Sequence, residues 1–110
     1  MEAAPNRSSV ARCSGFSFGS RIILQLGCEI EGASRLIAVG FPAASSDGAL
    51  GDCLRPRIFI QSTRDQFGPV PAMEAYFTRL QEPKRLIWVE AQDHFFAGGL
   101  DELERQVAAL

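Results

Sequence analysis

The sequence predicts an α/β fold with a mainly parallel sheet and flanking helices. One observation is that short apolar runs alternate along the chain with stretches in which apolar residues recur every three or four positions. A second is that the run Leu36–Val39 has no polar interruption, which is typical of a strand covered on both faces. Alternation of strands and helices indicates right-handed crossovers and therefore parallel pairing. The predicted order is strand, helix, strand, loop, strand, helix, strand, helix.

The first half of the chain supplies two of the predicted strands and one helix. Residues 10–14 are the first strand, which is only weakly apolar and is interrupted by Arg12. A helix is predicted from Phe18 to about Glu31, and the second strand is the run from Leu36 to Val39. The apolar face of that helix is predicted to consist of Ile22, Ile23, Leu26 and Ile30.

The second half adds two strands and two helices after a loop rich in Ser, Gly and Asp over residues 43–55. The strands are residues 57–61 and 86–89. A helix begins near the two prolines at 69 and 71, where a missing N–H does no harm, and ends at Pro83. Its buried stripe is predicted to be Val70, Met73, Phe77 and Leu80. The stripe of the last helix is predicted to be Leu100, Leu103, Val107 and Leu110.

Length, composition and charge indicate one domain that binds neither nucleic acid nor a membrane. The chain has 110 residues, of which 46% are hydrophobic and 22% charged, and its formal net charge is −2. That charge gives no reason to expect nucleic acid or an anionic membrane as a partner. No apolar run reaches the roughly 20 residues of a membrane helix, and the N-terminus lacks the apolar segment of a signal peptide, so a cytoplasmic protein is expected. We expect residues 1–9 to be disordered and residues 10–110 to form the domain.

The three cysteines indicate neither disulfide bonds nor a metal site. Cys13, Cys28 and Cys53 are odd in number and widely spaced, and no C-x-x-C occurs. Neither a disulfide framework nor a metal site is therefore predicted, and free thiols of this kind are usually packed in the interior.

The segment Gly15–Gly19 reads G-x-S-x-G and lies between a predicted strand and a predicted helix. In a nucleophile elbow the serine occupies a tight strand-to-helix turn, and its hydroxyl projects into an open cleft. Five residues are a weak signal alone, because an isolated serine in a Gly-flanked turn is more often structural. The interpretation therefore depends on the residues found at the ends of the other strands.

Two further polar residues, an acid and a histidine, come after later strands of the predicted sheet. Asp65 comes after strand 57–61, and His94 comes after strand 86–89. Since ligand sites in parallel sheets form beyond the carboxyl ends of the strands, these residues and Ser17 are expected to meet at one edge. An imidazole can take the serine proton, and a carboxylate fixes the imidazole tautomer.

Each of these side chains also has a structural interpretation. Asp65 could be a turn or capping residue, and a single His94 could simply be packed or lie at the surface. Asp93, next to His94, is a rival for the acid, but adjacent side chains on an extended loop diverge, so Asp93 is expected to order the loop instead.

Together the motifs resemble the C-terminal half of an α/β-hydrolase. The likeness covers about residues 14–110 and is to small bacterial members with a G-x-S-F-G elbow and an Asp-His-Phe-Phe motif, here Gly15–Gly19 and Asp93–Phe96. The resemblance implies a nucleophile, an acid and a base at Ser17, Asp65 and His94. It also implies one oxyanion donor, the backbone N–H of Phe18, a small-molecule acyl substrate, and no metal or organic cofactor.

The chain departs from that family at its start. Members place several strands before the elbow, and the loop that supplies a second oxyanion donor lies in that part. The turn before Asp65 has Ser62, Thr63 and Arg64 where members often have a glycine.

Three functions remain open from the sequence. The first is a serine hydrolase that cleaves a carboxylic ester, a thioester or a related acyl bond. The second is a truncated, non-catalytic half-domain that is inactive or needs another chain, either a second copy or a partner, along an exposed sheet edge. The third is a generic α/β binding module in which the order of Ser, Asp and His is a coincidence.

Overall fold

Four parallel strands form one sheet in chain order in the computed structural model, which describes residues 12–29, 32, 34–45 and 55–110. The strands are β1 (Arg12–Phe16), β2 (Arg35–Val39), β3 (Arg57–Ser62) and β4 (Lys84–Val89). The helices are α1 (Phe18–Leu26), α2 (Val70–Arg79) and α3 (Leu100–Ala108). The predicted order of elements and the parallel pairing are therefore confirmed. The segment 1–9, predicted to be disordered, lies outside the described residues.

Side chains that alternate along the strands pack into two apolar cores, one on each face of the sheet. On one face Leu36, Ala38 and Phe59 pack with residues of α1 and α2. On the other face Ile37 and Ile60 form a second apolar cluster. Leu103 of α3 and Leu110, which follows that helix, pack against it. The central strands β2 and β3 are therefore buried from both sides, as the uninterrupted apolar run predicted.

The face that α1 turns to the sheet differs from the prediction. Ser20 and Leu24 are its buried residues, while Ile22 and Leu26 are 37% and 52% exposed. The reason is close packing: a Cβ at Gly27, which directly follows α1, would collide with the side chain of Leu36. Small residues therefore face β2. Of the other residues of the predicted face, Ile23 packs against the core as predicted, and Ile30 lies outside the described residues. The α-helix itself ends at Leu26, earlier than predicted, and a 3₁₀ turn follows it over Gly27–Glu29.

Two other helical stripes are corrected in part. In α2 the buried residues are Met73 and Tyr76, so the prediction missed a tyrosine. In α3 no residue is fully buried, and the predicted core residues Leu100 and Val107 are exposed. Only Leu103 of α3 itself packs against the apolar core from its side.

The strand ends bring three loops to one edge of the sheet. Strand β1 is followed by the single turn residue Ser17, β3 and β4 are each followed by a longer connection, and all strands of the sheet run in the same direction. Strand β1 lies at one end of the sheet and pairs with β2 alone among the described strands. None of the helices that the structure describes is long and apolar enough to cross a membrane.

Candidate active site

Ser17 lies in a sharp turn that joins β1 directly to α1. Its backbone has φ 56° and ψ −123°, a conformation that a residue with a side chain rarely adopts. The turn is held because the Ser17 N–H donates to the carbonyl of Val39 at 2.8 Å and the Ser17 carbonyl accepts from the N–H of Ser20 at 2.9 Å. Such a turn points the Ser17 side chain away from the sheet, toward the strand ends.

The first glycine of the motif is required by close backbone packing. A Cβ on Gly15 would lie 2.5 Å from the carbonyl oxygen of Gly19, which is closer than real side chains approach. A Cβ on Gly19, in contrast, would meet nothing within 4 Å. The two glycines of G-x-S-x-G therefore have different roles, and only Gly15 allows the tight turn.

His94 lies in the loop after β4, and its ring meets the Ser17 side chain. The Nε2 atom of His94 is 2.8 Å from the Oγ of Ser17. The backbone of His94 is also anchored, because its N–H donates to the side-chain oxygen of Gln66 at 2.9 Å. Asp93 turns its Oδ1 to the backbone N–H groups of Phe95 and Ala97, at 3.0 and 3.1 Å. Asp93 thus orders the loop.

Asp65 approaches His94 from the loop after β3. Its Oδ2 lies 2.7 Å from the Nδ1 of His94. Its Oδ1 accepts hydrogen bonds from the backbone N–H groups of Phe67 and Gly68, at 2.8 and 2.9 Å. These two bonds fix the carboxylate, so that one oxygen is held by the loop and the other is left for the imidazole.

The two contacts of the His94 ring define its tautomer. Since the Asp65 carboxylate can only accept, the proton sits on Nδ1 and is donated to Asp65. Nε2 then has a lone pair that accepts from the Ser17 hydroxyl. The arrangement is a serine hydroxyl, an imidazole and a carboxylate in line, and the structure brings together the three residues that the sequence singled out.

Phe18 is the fourth residue singled out by the sequence. It is the first residue of α1, so its backbone N–H has no carbonyl partner within the helix. Its side chain lines the cavity beside Ser17. A free N–H at a helix start can donate to an anion that forms next to it.

A cavity of about 290 Å³ opens beside Ser17 and His94. The residues that line it, within the described part of the chain, are Ser17, Phe18, Arg21, Pro42, Ser45, Phe67, His94 and Phe95. Two of these rings pack on the imidazole, with centroids 4.8 Å from Phe67 and 5.1 Å from Phe95. The sequence signal missed Arg21 and Phe67, which belong to no motif and are brought to the cavity by the fold.

Gln61 is another residue that sequence reasoning missed. It is fully buried at the end of β3. Its side chain accepts from the N–H of Phe41 at 2.9 Å and donates to the carbonyls of Phe41 and Gly68, at 2.9 and 3.0 Å. Gln61 therefore joins the loop after β2 to the loop that holds Asp65. The available signal was an amide directly after the apolar run Ile58–Ile60.

Comparisons with known proteins identify the fold. No protein-family model matches the sequence, and no curated protein matches it. Among solved structures, the chain is similar to a lidless α/β serine hydrolase from Xanthomonas campestris, with a TM-score of 0.73 and 26% identity over 87% of this chain and 44% of that one. It is also similar to an α/β serine hydrolase homologue from Coxiella burnetii, with a TM-score of 0.72 and 26% identity over 86% and 46% of the two chains.

A more distant likeness extends to the esterase domain of a Rhodothermus marinus protein. The TM-score is 0.64, with 18% identity over 78% of this chain and 51% of that one. The chain thus spans about half the length of the solved structures it resembles. Its parallel sheet and flanking helices have the fold of part of an α/β hydrolase.

Proposed function

We propose that the protein is a serine hydrolase of the α/β-hydrolase type, which cleaves a carboxylic ester, a thioester or a related acyl bond. The observation that carries this proposal is the continuous hydrogen-bonded line from Ser17 Oγ through the His94 ring to Asp65, with distances of 2.8 and 2.7 Å. The line ends at an open cavity on the serine side and at a buried carboxylate on the other. Activation of a serine requires this order, with the hydroxyl open to a substrate and the carboxylate behind the imidazole.

In the first step Ser17 attacks the carbonyl carbon of the acyl bond. As the new C–O bond forms, the hydroxyl proton passes to Nε2 of His94, and the carbonyl electrons move onto oxygen. Asp65 stabilises the imidazolium through its bond to Nδ1. The backbone N–H of Phe18 is the proposed donor to the oxyanion.

In the second step the bond to the leaving group breaks. His94 gives the proton on Nε2 to the departing oxygen or sulfur, and an acyl group remains on Ser17. A water molecule then attacks the acyl carbon while His94 takes one of its protons. Breakdown of that intermediate releases the acid and returns the proton to Ser17.

The comparisons support the type of chemistry and leave the substrate open. The serine hydrolase structures are similar over about half of their lengths, so their activities come to this chain only as a proposal. Phe18 supplies one oxyanion donor, and loss of a second donor typically lowers turnover by about 100- to 1,000-fold. The absence of a metal or organic cofactor and a cytoplasmic location remain predictions from the sequence.

The experiment that tests the proposal is labelling with a fluorophosphonate, which reacts with activated serines. We expect the wild-type chain to be labelled and Ser17→Ala to be unlabelled. Ser14→Ala is the matched control, because Ser14 is an exposed serine of β1 three residues away and should leave labelling unchanged. Labelling that persists in Ser17→Ala, or none in a folded wild-type chain, would contradict the proposal. His94→Ala should abolish labelling at neutral pH, because it removes the proposed base.

A second candidate is a half-domain that becomes active only with another chain. The observation that favours it is that β1 has β2 as its one partner among the described strands. A second copy or another chain that pairs with β1 would then complete the sheet. In that case the labelling rate per chain should rise with protein concentration or on addition of the partner. A rate that is independent of concentration, measured alongside a monomeric mass, would favour the single-chain hydrolase.

A further inference from the structure

The cavity beside Ser17 contains one side chain that the proposed acyl chemistry does not use. Arg21 lies in the first turn of α1, four residues after Ser17. Both residues line the cavity. A ligand atom bound by Arg21 is thus a short distance from the carbonyl that Ser17 would attack.

The charge of Arg21 stands out against its surroundings. It is the one permanently charged side chain among the described residues that line the cavity, whose other walls are mainly aromatic rings and Pro42. The carboxylate of Asp65 is turned away behind the imidazole and is shielded from solvent. Within the described part of the chain, Arg21 forms no ion pair with a carboxylate. No carboxylate of the described residues therefore occupies the guanidinium.

A guanidinium beside apolar walls attracts anions strongly, since water screens the interaction less there than in bulk solvent. Its planar pair of donors matches a carboxylate in a bidentate geometry. The cavity of about 290 Å³ is at the lower end of the range for small-molecule sites, which favours a small ligand. The exposed rings of Phe18 and Phe95, 65% and 66% accessible, can cover its apolar part.

We propose that the substrate is a small ester or thioester that also carries a carboxylate, and that Arg21 binds this carboxylate and sets the specificity of the site. The inference rests on the proposed hydrolase function. Arg21 is a specificity-determining residue here, since it contacts the substrate without taking part in bond making or breaking.

The first test measures binding without catalysis. Benzoate and benzamide have almost the same shape, and only benzoate is an anion. By calorimetry we expect benzoate to bind the wild-type chain about tenfold or more tightly than benzamide, as one charge-assisted hydrogen-bonded contact provides. Arg21→Gln should remove the preference, and Arg21→Lys should keep part of it. Equal binding of the two compounds to wild type, or a preference that survives Arg21→Gln, would overturn the proposal.

The matched control is Arg85→Gln, which removes an exposed arginine of β4 that does not line the cavity. It lowers the net charge by the same amount as Arg21→Gln, so it should leave the benzoate preference unchanged. If Arg85→Gln reduced the preference equally, overall charge would be the cause, and the proposal would be wrong.

The second test measures specificity in turnover. The 4-nitrophenyl ester of glutarate with a free carboxylate is compared with its neutral methyl-ester counterpart. Arg21→Gln should lower kcat/KM about tenfold for the charged ester and less than about twofold for the neutral one. Equal losses for both esters would contradict a carboxylate site.

The two proposals fail in different ways. Labelling of Ser17 by fluorophosphonate without any Arg21-dependent anion preference overturns the carboxylate site alone. An Arg21-dependent preference for benzoate without Ser17-dependent labelling overturns the hydrolase function, and with it the esterolytic use of the site.

Discussion

The Oδ2 of Asp65 and the Nδ1 of His94 meet at 2.7 Å, although 29 residues separate them in the chain. Both side chains are shielded from solvent, with 0% of the Asp65 side chain and 2% of the His94 side chain exposed. A buried carboxylate is costly unless hydrogen bonds satisfy it. Here the imidazole and two backbone N–H groups provide those hydrogen bonds, so both oxygens of the buried Asp65 carboxylate have partners.

Asp65→Asn should separate the electrostatic role of this carboxylate from its structural one. The amide oxygen can still accept from the backbone of Phe67 and Gly68, so the fold should be retained. The amide NH₂ would then face Nδ1 and favour the wrong imidazole tautomer. We expect the rate of Ser17 labelling to fall by about 10³- to 10⁴-fold.

The control is Asp93→Asn, in the residue adjacent to His94. Asp93 holds the loop through hydrogen bonds that its Oδ1 accepts, and an amide oxygen can accept them as well. Labelling should therefore change by less than about tenfold, in contrast to Asp65→Asn. A larger loss in Asp93→Asn than in Asp65→Asn would make Asp93 the functional acid.

Gly15→Ala and Gly19→Ala should have opposite effects on stability. The added Cβ at position 15 would collide with the backbone of Gly19, and we expect the free energy of unfolding in urea to fall by about 1–3 kcal/mol. At position 19 there is open space within a helix, so alanine should be neutral or stabilise by about 0.5–1 kcal/mol.

The same pair also tests the Ser17 turn. Labelling should slow in Gly15→Ala, because the collision shifts the turn that positions Ser17, and it should be retained in Gly19→Ala. Equal stability of the two variants would show that the approach of Gly15 to Gly19 does not limit the turn.

Sequence reasoning succeeded where large apolar residues decide the structure. The strands β2 and β3 are predicted by continuous apolar runs, and the structure covers both on both faces. The same signal predicts β4, although only Val89 of that strand is buried. The place of Ser17, Asp65 and His94 followed from a topological rule, since parallel strands end at the same edge. The structure shows these side chains within hydrogen-bond distance of one another, and their catalytic roles remain proposals.

Sequence reasoning failed where the fit of small or polar groups decides the structure. Leu26 and Val107 match a helical periodicity, yet their helices turn other residues to the sheet. Ser20 is buried in α1 because the helix packs closely on β2, and no periodicity of large residues reveals that. Gln61 bonds to two loops, and Arg21 lines a cavity. Both surroundings form only when the chain folds.

Tyr76 should make stability depend on pH in alkaline solution. Burial raises the pKa of its phenol above the ordinary value of 10.0, although the charges of Arg79, Arg57 and Arg21 lower it in part. The unfolded chain therefore loses this proton at a lower pH than the folded chain. The stabilisation is fully present below about pH 10 and is lost as the pH rises above it, by up to about 1.4 kcal/mol per pH unit.

The measurement is direct because Tyr76 is the only tyrosine of the chain. Phenolate absorbance should titrate above pH 10 in the folded protein and near pH 10 in urea. In Tyr76→Phe the free energy of unfolding should fall less steeply above pH 10 than in wild type. A folded-state titration at or below pH 10 would contradict the prediction.

Gln61→Glu should destabilise the site by a mechanism that acid partly reverses. The amide of Gln61 donates to the carbonyls of Phe41 and Gly68, and a carboxylate would instead place a buried negative charge against both. We expect the free energy of unfolding at neutral pH to fall by about 3 kcal/mol or more. Lowering the pH should recover part of the loss, because a protonated carboxyl is neutral and can donate to one carbonyl.

Gln25→Glu, at an exposed position of α1, is the matched control and should change stability by less than about 0.5 kcal/mol. A loss in Gln61→Glu that is small, or independent of pH, would show that the donated bonds of Gln61 do not hold the two loops together.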